Sequence, residues 1–219
     1  MSRRGIMILG ALLAAGVGLA YAEPSAALFE IDFSNPALVP AQWTLEIHPD
    51  GSGHFRSMRG DAKPTDEIEA PNIDRDIQVS AQFAQHVFQV AEHKRLFHGG
   101  CESHLNVAYQ GTKKLLYQGP AGEGSCEFNY SKDSDIEGLA DSLISVANTL
   151  IEGARLQTLL QHDRLGLDRE TEVLVESAND GRAQQIGSIR DILERLADDP
   201  AVLDRVKRRA RLLLSKACD

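Results

Sequence analysis

The chain has 219 residues, enough for one domain or two small ones, and 42% of them are hydrophobic while 25% are charged. This ordinary globular composition excludes a collagen-like, low-complexity or fully disordered chain. The formal net charge of −9 argues against a surface that binds nucleic acid throughout, because binding to phosphates needs net positive charge.

The first 22 residues have the features of a secretory signal peptide. Two arginines precede an uncharged, largely apolar run over 6–19, and residues 20–22 (Ala-Tyr-Ala) have the pattern that signal peptidase cleaves. The run has about 14 residues, whereas a membrane-spanning helix needs about 20, so cleavage before Glu23 is favoured over an anchor. We expect a soluble exported protein, periplasmic if the host has an outer membrane, with no stable membrane span after cleavage.

In chain order, the first predicted elements are strands. Apolar and polar residues alternate over 28–33 and again over 43–47, which is typical of half-buried strands. The Pro-Asp-Gly-Ser-Gly turn at 49–53 then predicts a hairpin, with a return strand that begins near Phe55. Ile77 and Val79 indicate one more short strand.

A helix and further strands follow. Ser80 is suited to cap a helix over 81–97, with Phe83 and Val87 on its buried face. Glycine-rich turns separate the later strand-like runs, which are 105–110, 113–117 and 126–130. The economical arrangement of these elements is an antiparallel sheet covered by one helix.

The composition changes near residue 131, because every aromatic residue of the mature chain lies at or before Tyr130. This change predicts three parts: a signal peptide over 1–22, a β-rich α+β module over 23–131 and an all-helical module over 132–219. The overall prediction is an α+β fold, in which the sheet and its covering helix precede an antiparallel bundle of about four helices.

Four helical patterns support the bundle. Residues 134–137 form a capping box that begins a helix ending near Gln161. Asp168 is predicted to cap the second helix, and the third spans about 183–197. The Asp199-Pro200 pair is predicted to start the fourth.

Three cysteines are consistent with export, because disulfides form in oxidising compartments. Cys101 and Cys126 lie in one aromatic-rich region beside strand-like runs, and we predict that they form a disulfide. A reactive thiol at Cys101 is the alternative. Cys218 is left over, either as a terminal thiol or for an intermolecular bridge.

The order of elements in the first module carries a resemblance. The strand over 43–47, the Asp50-Gly51 turn that leads to Phe55, and the helix from Ala81 resemble small exported bacterial domains of unknown function. The resemblance covers about 42–117. It implies export, and it carries no activity and no functional residue.

One cluster in the sequence suggests a zinc site. Its members lie within seven residues of one another: His98, Cys101, Glu102 and His104. Against zinc, Cys101 is expected in the disulfide, and no second ligand pair with zinc-finger spacing follows. His86 and His93 are roughly 10 Å apart along their helix, too far to share one metal ion. We therefore assign no metal, cofactor or catalytic residue from the sequence.

Three other motifs have structural interpretations that we favour. Gly119, Gly122 and Gly124 lack the phosphate-loop pattern and fit a hairpin turn. His162 and Asp163 could act as a base and its orienter, but adjacent helical residues point apart, so we favour a polar corner between helices. The last helix carries a basic run, which we interpret as a solvated face that pairs with acidic neighbours: Arg205, Lys207, Arg208, Arg209 and Arg211.

The function that best fits these observations is binding or structural association in the cell envelope, with an unknown protein or glycan as the partner. One alternative is an envelope hydrolase, with or without a metal ion, that uses the 98–104 region or the pair at 162–163. The other alternative is docking of the basic last helix to a membrane surface. No nucleic-acid partner and no cofactor is expected.

Overall fold

The computed structural model describes residues 27–61 and 69–217. The predicted signal peptide, part of the polar loop after the first hairpin and Cys218 lie outside these residues. The described part contains a six-stranded antiparallel sheet and five α-helices, which confirms the predicted α+β class. The strands are β1 (Leu28–Ser34), β2 (Gln42–Ile47), β3 (Ser52–Met58), β4 (Ile73–Gln78), β5 (Thr112–Gly119) and β6 (Gly122–Phe128). The helices are α1 (Ala81–His93), α2 (Ser134–His162), α3 (Leu167–Asn179), α4 (Arg190–Asp198) and α5 (Asp204–Lys216).

The sheet has the strand order β4-β3-β2-β1-β5-β6, and every neighbouring pair is antiparallel. The alternation seen in the sequence sets the orientation of each strand, because successive side chains point to opposite faces. In β1, Phe29, Ile31 and Phe33 are buried, while the residues between them are half-buried on the other face. The sheet therefore has one apolar face and one polar face.

The helices share one core with the apolar face of the sheet. The buried side chains of the strands, of α1 and of all four C-terminal helices form a single cluster. The composition change near residue 131 coincides with the connection between β6 and α2. The four C-terminal helices pack together as predicted, and α2 also packs on the sheet, so α1 is not alone in covering it.

A buried lysine joins α2 to the sheet. Lys113 of β5 is 2% exposed, and its Nζ donates to the carbonyl of Asn129 at 2.8 Å and to Glu137 Oε1 at 3.2 Å. The ammonium also lies 5.3 Å from the centre of the Phe128 ring. The second carboxylate oxygen of Glu137 accepts the N–H of Ser131 at 2.7 Å. The first turn of α2 is thus fixed to β5 by charge as well as by apolar packing.

The predicted capping box at 134–137 is wrong in its details. The N-cap is Asp133, whose side chain accepts the N–H groups of Asp135 and Ile136. Glu137 does reach back towards the start of the helix, but it bonds to Ser131 and Lys113. The carboxylate of Glu137 thus serves the buried ammonium and the N–H of Ser131, while Asp133 caps the helix.

Helix α1 begins at the predicted cap, where Ser80 Oγ accepts the N–H of Phe83. It ends at His93, four residues before the predicted end at residue 97. The next turn, Arg95–Phe97, has positive φ angles of 51°, 55° and 67°. This left-handed turn directs Leu96 and Phe97 into the core, where the Phe97 ring lies 6.1 Å from that of Phe29. Burial of two apolar side chains outweighs continuation of the helix.

The predicted strand at 105–110 is wrong. The segment pairs with no strand among the described residues, and side chains hold it instead. Asn129 accepts the N–H of Gln110 at 2.7 Å and donates to the carbonyl of Ala108 at 3.1 Å. The backbone of Leu96 lies against β6 at Gly124. The contact is so close that a Cβ at position 124 would collide with the Leu96 carbonyl. The periodic pattern at 105–110 thus marks an extended segment outside the sheet.

The predicted third and fourth helices begin later than expected. Gln185 has a φ of 53°, the N–H of Gln184 donates to the carbonyl of Ser145, and α4 begins only at Arg190. Asp199 accepts the N–H of Ala201 and pairs with Arg164, so it closes a turn and does not cap α5. Asp168 lies inside the first turn of α3 and is not its cap.

Candidate functional site

The residues of the suggested zinc site have separate structural roles. Cys101 and Cys126 are both buried, and their Cα atoms are 5.7 Å apart, within the range of a disulfide. Glu102 accepts the N–H of Asn129 at 2.7 Å and the N–H of His104 at 3.0 Å. The bond from Asn129 is the main reason why the pKa of Glu102 is lowered. Within 27–61 and 69–217, no group of three His, Cys, Asp or Glu side chains is arranged to hold a metal ion.

The other polar motifs also occupy structural positions. Asp163 is the C-cap of α2, and its Oδ1 accepts the N–H of Leu165 at 3.1 Å, which gives this carboxylate a structural role in the turn after the helix. Arg164 forms an ion pair with Asp199 at 3.2 Å, which fits a polar corner between helices. Residues 119–124 span a tight hairpin between β5 and β6.

The basic run of α5 is partly committed to α3. Asp168 Oδ1 forms ion pairs with Arg205 Nε at 2.6 Å and with Arg209 Nη1 at 2.8 Å. Arg209 Nη2 also pairs with Glu172 Oε1 at 3.1 Å. Arg211 donates to the carbonyl of Ala197 at 3.2 Å. The acidic neighbours that the sequence suggested are therefore Asp168 and Glu172, which lie in the first turns of α3.

The polar face of the sheet brings together charged side chains that are far apart in the sequence. We call this surface the outer face. In one row across all six strands, directly paired residues alternate in charge around one threonine: Asp74, Arg56, Thr44, Asp32, Lys114 and Glu127. Within that row, Arg56 Nε lies 3.0 Å from Asp74 Oδ2, and Thr44 Oγ1 donates to Asp32 Oδ1 at 2.7 Å.

Carboxylates dominate the outer face. Seven of them alternate with the buried positions of the strands: Glu30, Asp32, Glu46, Asp74, Asp76, Glu123 and Glu127. Arg56, Lys114 and His54 are the basic groups on the same positions of the described strands. Burial raises the pKa of Glu30, and the neighbouring charges of Asp32 and Glu46 raise it further. A half-buried carboxylate among like charges is a site where an incoming cation is favoured.

A shallow cavity of about 250 Å³ opens on this face. Its lining includes the central members of the charged row, Asp32, Arg56 and Lys114, together with Gln42 and Met58. Met58 is 52% exposed, so the cavity combines ionic groups with one accessible apolar side chain. Such a combination suits a long side chain that has an apolar stem and a charged end.

His54 lies between two carboxylates at one side of the outer face. Its Nδ1 is 2.9 Å from Asp76 Oδ1, and its Nε2 is 2.9 Å from Asp74 Oδ1. The hydrogen bond to Asp76 is the largest cause of the raised pKa of His54; burial opposes it, and the hydrogen bond to Asp74 raises the pKa further. The imidazolium thus links the edge strand β4 to β3.

This link predicts a pH-dependent contribution to stability. A raised pKa means that the contribution of His54 is full below about 6.5, its ordinary value, and is lost as the pH rises through the value in the folded protein. We expect His54→Asn to lower the free energy of unfolding by about 0.5 kcal/mol at acidic pH and by less at alkaline pH. Urea unfolding at pH about 5 and about 8.5 measures the difference. His93→Asn, on the exposed side of α1, is the control, and an equal loss at both pH values would contradict the link.

The strand periodicity could have located the outer face, because alternation assigns Glu30, Asp32 and Glu46 to one side of the sheet. It could not show that these residues form rows with Lys114 and Glu127, since this depends on the pairing of β1 with β5.

No described helix is long and apolar enough to cross a membrane. Comparisons of the sequence find no matching family model and no matching curated protein.

Proposed function

We propose that this protein is an exported binding protein, and that it binds a cationic polypeptide through the outer face of its sheet. The export part rests on the signal-like N-terminus and on the Cys101–Cys126 pair, which suits an oxidising compartment. The binding part rests on the face that carries seven carboxylates and three basic groups. A partner rich in lysine or arginine complements that balance of charge.

The observation that carries the proposal is the state of Glu30. This carboxylate is half-buried beside Asp32 and directly opposite Glu46, and its pKa is raised by burial first and then by these two charges, against a lowering by Lys114. A cationic side chain placed between Glu30 and Glu46 removes that repulsion. Lys114 already supplies one positive charge near Glu30, and a second cation from the partner would add to its effect.

Two features favour a polypeptide over a single small cation. The row from Asp74 to Glu127 crosses six strands, which at about 4.8 Å per strand is roughly 24 Å between its ends. The cavity beside Met58 also has room for the apolar stem of a long side chain. A short basic segment could thus meet several carboxylates at once.

The alternatives have less support from the contacts. For a hydrolase, Glu102 and Asp163 bond to the backbone and do not orient a histidine. For membrane docking through α5, Arg205 and Arg209 already pair with Asp168. The outer face is therefore the surface that we propose for function.

A labelled decalysine peptide tests the proposal with the mature chain. We expect saturable binding that weakens as salt is added, because the contacts are ionic and partly exposed. Glu30→Gln/Glu46→Gln keeps the shape of both side chains and removes their charges. This variant is expected to weaken peptide binding about fivefold, as measured by fluorescence anisotropy at fixed ionic strength.

The control removes two carboxylates elsewhere. Glu176→Gln/Asp198→Asn changes the net charge by the same amount on the exposed surfaces of α3 and α4. We expect it to leave peptide affinity nearly unchanged. An equal loss in both double variants would show attraction to overall charge alone and would contradict a site on the outer face, as would a failure to saturate.

A further inference from the structure

A cleft of about 910 Å³ lies where the end of β4 meets the helices. Its walls come from the connection between β4 and α1, from α2 at Ser142, from the connection between α3 and α4, and from the end of α5. A cleft of this size lies in the range that holds small organic ligands.

The charge of the cleft is opposite to that of the protein. His86, Arg190 and Lys216 line it, and none of its described lining residues is acidic. The whole chain has a formal net charge of −9, so a wall with only cationic and neutral groups is a local exception. His86 and Lys216 are exposed, and the Arg190 side chain is 43% exposed. Arg190 also pairs at 3.8 Å with Glu194, which does not line the cleft. A local excess of positive groups attracts anions.

Hydrogen bonds hold the walls in place. The N–H of Ser80 donates to Gln185 Oε1 at 2.8 Å, which joins the start of α1 to the connection before α4. Thr149 Oγ1 donates to the carbonyl of Gln184 at 2.6 Å, which joins the same connection to α2. Arg190 Nη2 donates to the carbonyl of Ala217 at 3.4 Å, which joins it to the end of α5. The cleft is therefore a cross-linked feature of the fold.

The backbone at Gln185, in the wall of the cleft, has a left-handed conformation. Its φ of 53° is unusual for a residue other than glycine, and surrounding bonds must maintain it. This conformation places its side-chain oxygen on Ser80 while its neighbour Ile186 lines the cleft.

Part of the cleft is apolar. Phe83 of α1 and Ile186 contribute to its wall, and Gln82 and Ser142 supply an amide and a hydroxyl. Pockets with a largely apolar wall and a few placed polar groups bind organic ligands by packing the body and orienting the polar end. A ligand that fits has an apolar body and one anionic group.

We propose that this cleft binds a small organic anion, whose acidic group pairs with Arg190 and Lys216 and whose apolar part packs on Phe83 and Ile186. Arg190 offers a planar set of donors suited to an oxyanion, and Lys216 adds a second positive charge. The site is independent of the outer face, and it takes ligands of the opposite charge.

The probe that matches this chemistry is 8-anilinonaphthalene-1-sulfonate, an aromatic anion that fluoresces when bound. We expect saturable binding to the folded mature chain at one site. Arg190→Gln/Lys216→Gln is expected to weaken the affinity about tenfold or more, because two charged partners of the sulfonate are lost. Lys216→Gln alone leaves the bond from Arg190 to Ala217 intact, so its smaller expected loss separates binding from any effect on folding.

Lys132→Gln/Arg208→Gln is the matched control, because it removes two exposed positive charges that do not line the cleft. We expect it to change the affinity less than twofold, in keeping with the screening of exposed charges by salt. N-phenyl-1-naphthylamine has the same apolar body without the sulfonate, and we expect it to bind at least about tenfold more weakly.

Three results would overturn the proposal. These are equal losses in the two double variants, equal binding of the uncharged analogue, and the absence of saturation. The decalysine test of the outer face uses a probe of opposite charge, so each site can fail without the other.

Discussion

Replacing Lys113 with methionine is expected to lower the free energy of unfolding by about 3–5 kcal/mol, because the change leaves the carboxylate of Glu137 without its buried partner. The Glu137 side chain is only 16% exposed, so water cannot fully replace the ammonium. The carbonyl of Asn129 loses a donor at the same time. Urea unfolding followed by circular dichroism at neutral pH measures the loss.

Lys114→Met is the control for that prediction, since the neighbouring side chain points to the outer face and is half-buried. We expect it to cost less than about 1 kcal/mol. The double variant Lys113→Met/Glu137→Gln keeps an acceptor for the N–H of Ser131 and removes the unpaired charge. It is expected to recover part of the stability. If Lys113→Met were no more harmful than Lys114→Met, the pair would not fix α2 to the sheet.

Removing the cysteine pair is expected to have a similarly large effect. Cys101→Ala/Cys126→Ala should lower the free energy of unfolding by about 3 kcal/mol, because a bond across 25 residues restricts the unfolded chain. The same loss should follow when dithiothreitol is added to the natural protein before unfolding. Guanidinium unfolding with and without the reductant measures both effects.

A thiol count in denaturant accompanies that measurement. With a disulfide between Cys101 and Cys126, one thiol of the chain's three cysteines reacts before reduction and all three react after it. Cys218→Ala is the control variant, and we expect it to retain the stability and lose the single reactive thiol. Three reactive thiols in unreduced protein, or a stability indifferent to reductant, would contradict the pairing.

The sequence was most informative where one local pattern determined the structure. The alternation around Phe29 and Ile31 located β1, and the apolar period from Ile136 to Leu159 located α2. Ser80 capped α1 as expected. In each of these cases, local preference and burial in the final fold favour the same conformation.

The structure departs from the predictions made from the sequence where distant residues decide the local structure. The helical pattern continues past His93, but Leu96 and Phe97 become buried only if the chain turns sharply there. The alternating run at 105–110 joins neither edge strand of the sheet, and hydrogen bonds to the Asn129 side chain hold it instead. Both outcomes depend on where β6 and its neighbours lie, and no window of nearby residues contains that information.

The two proposed sites also combine features that follow from local sequence patterns with features that only the packing of distant elements determines. Strand alternation can assign Glu30, Asp32 and Glu46 to one side of the sheet, whereas the basic run predicted for the last helix ends at Arg211 and does not include Lys216. The sequence does not indicate that Lys216 and His86 line one cleft, because their 130-residue separation is closed only by packing of α1 against the C-terminal helices. Both proposed sites therefore depend on the arrangement of elements more than on any short motif.

The strand order has a consequence for how the chain reaches its folded state. Strands β1 to β4 follow one another in the sheet and can pair as soon as they are present. The other edge of β1 must wait for β5, since Ile31 pairs with Leu115, 84 positions later. Non-local pairings of this kind form slowly, so β1 passes through a stage with an open edge and apolar side chains exposed. Such an edge is a template for self-association, so we expect the chain to be open to it in the interval before β5 joins β1.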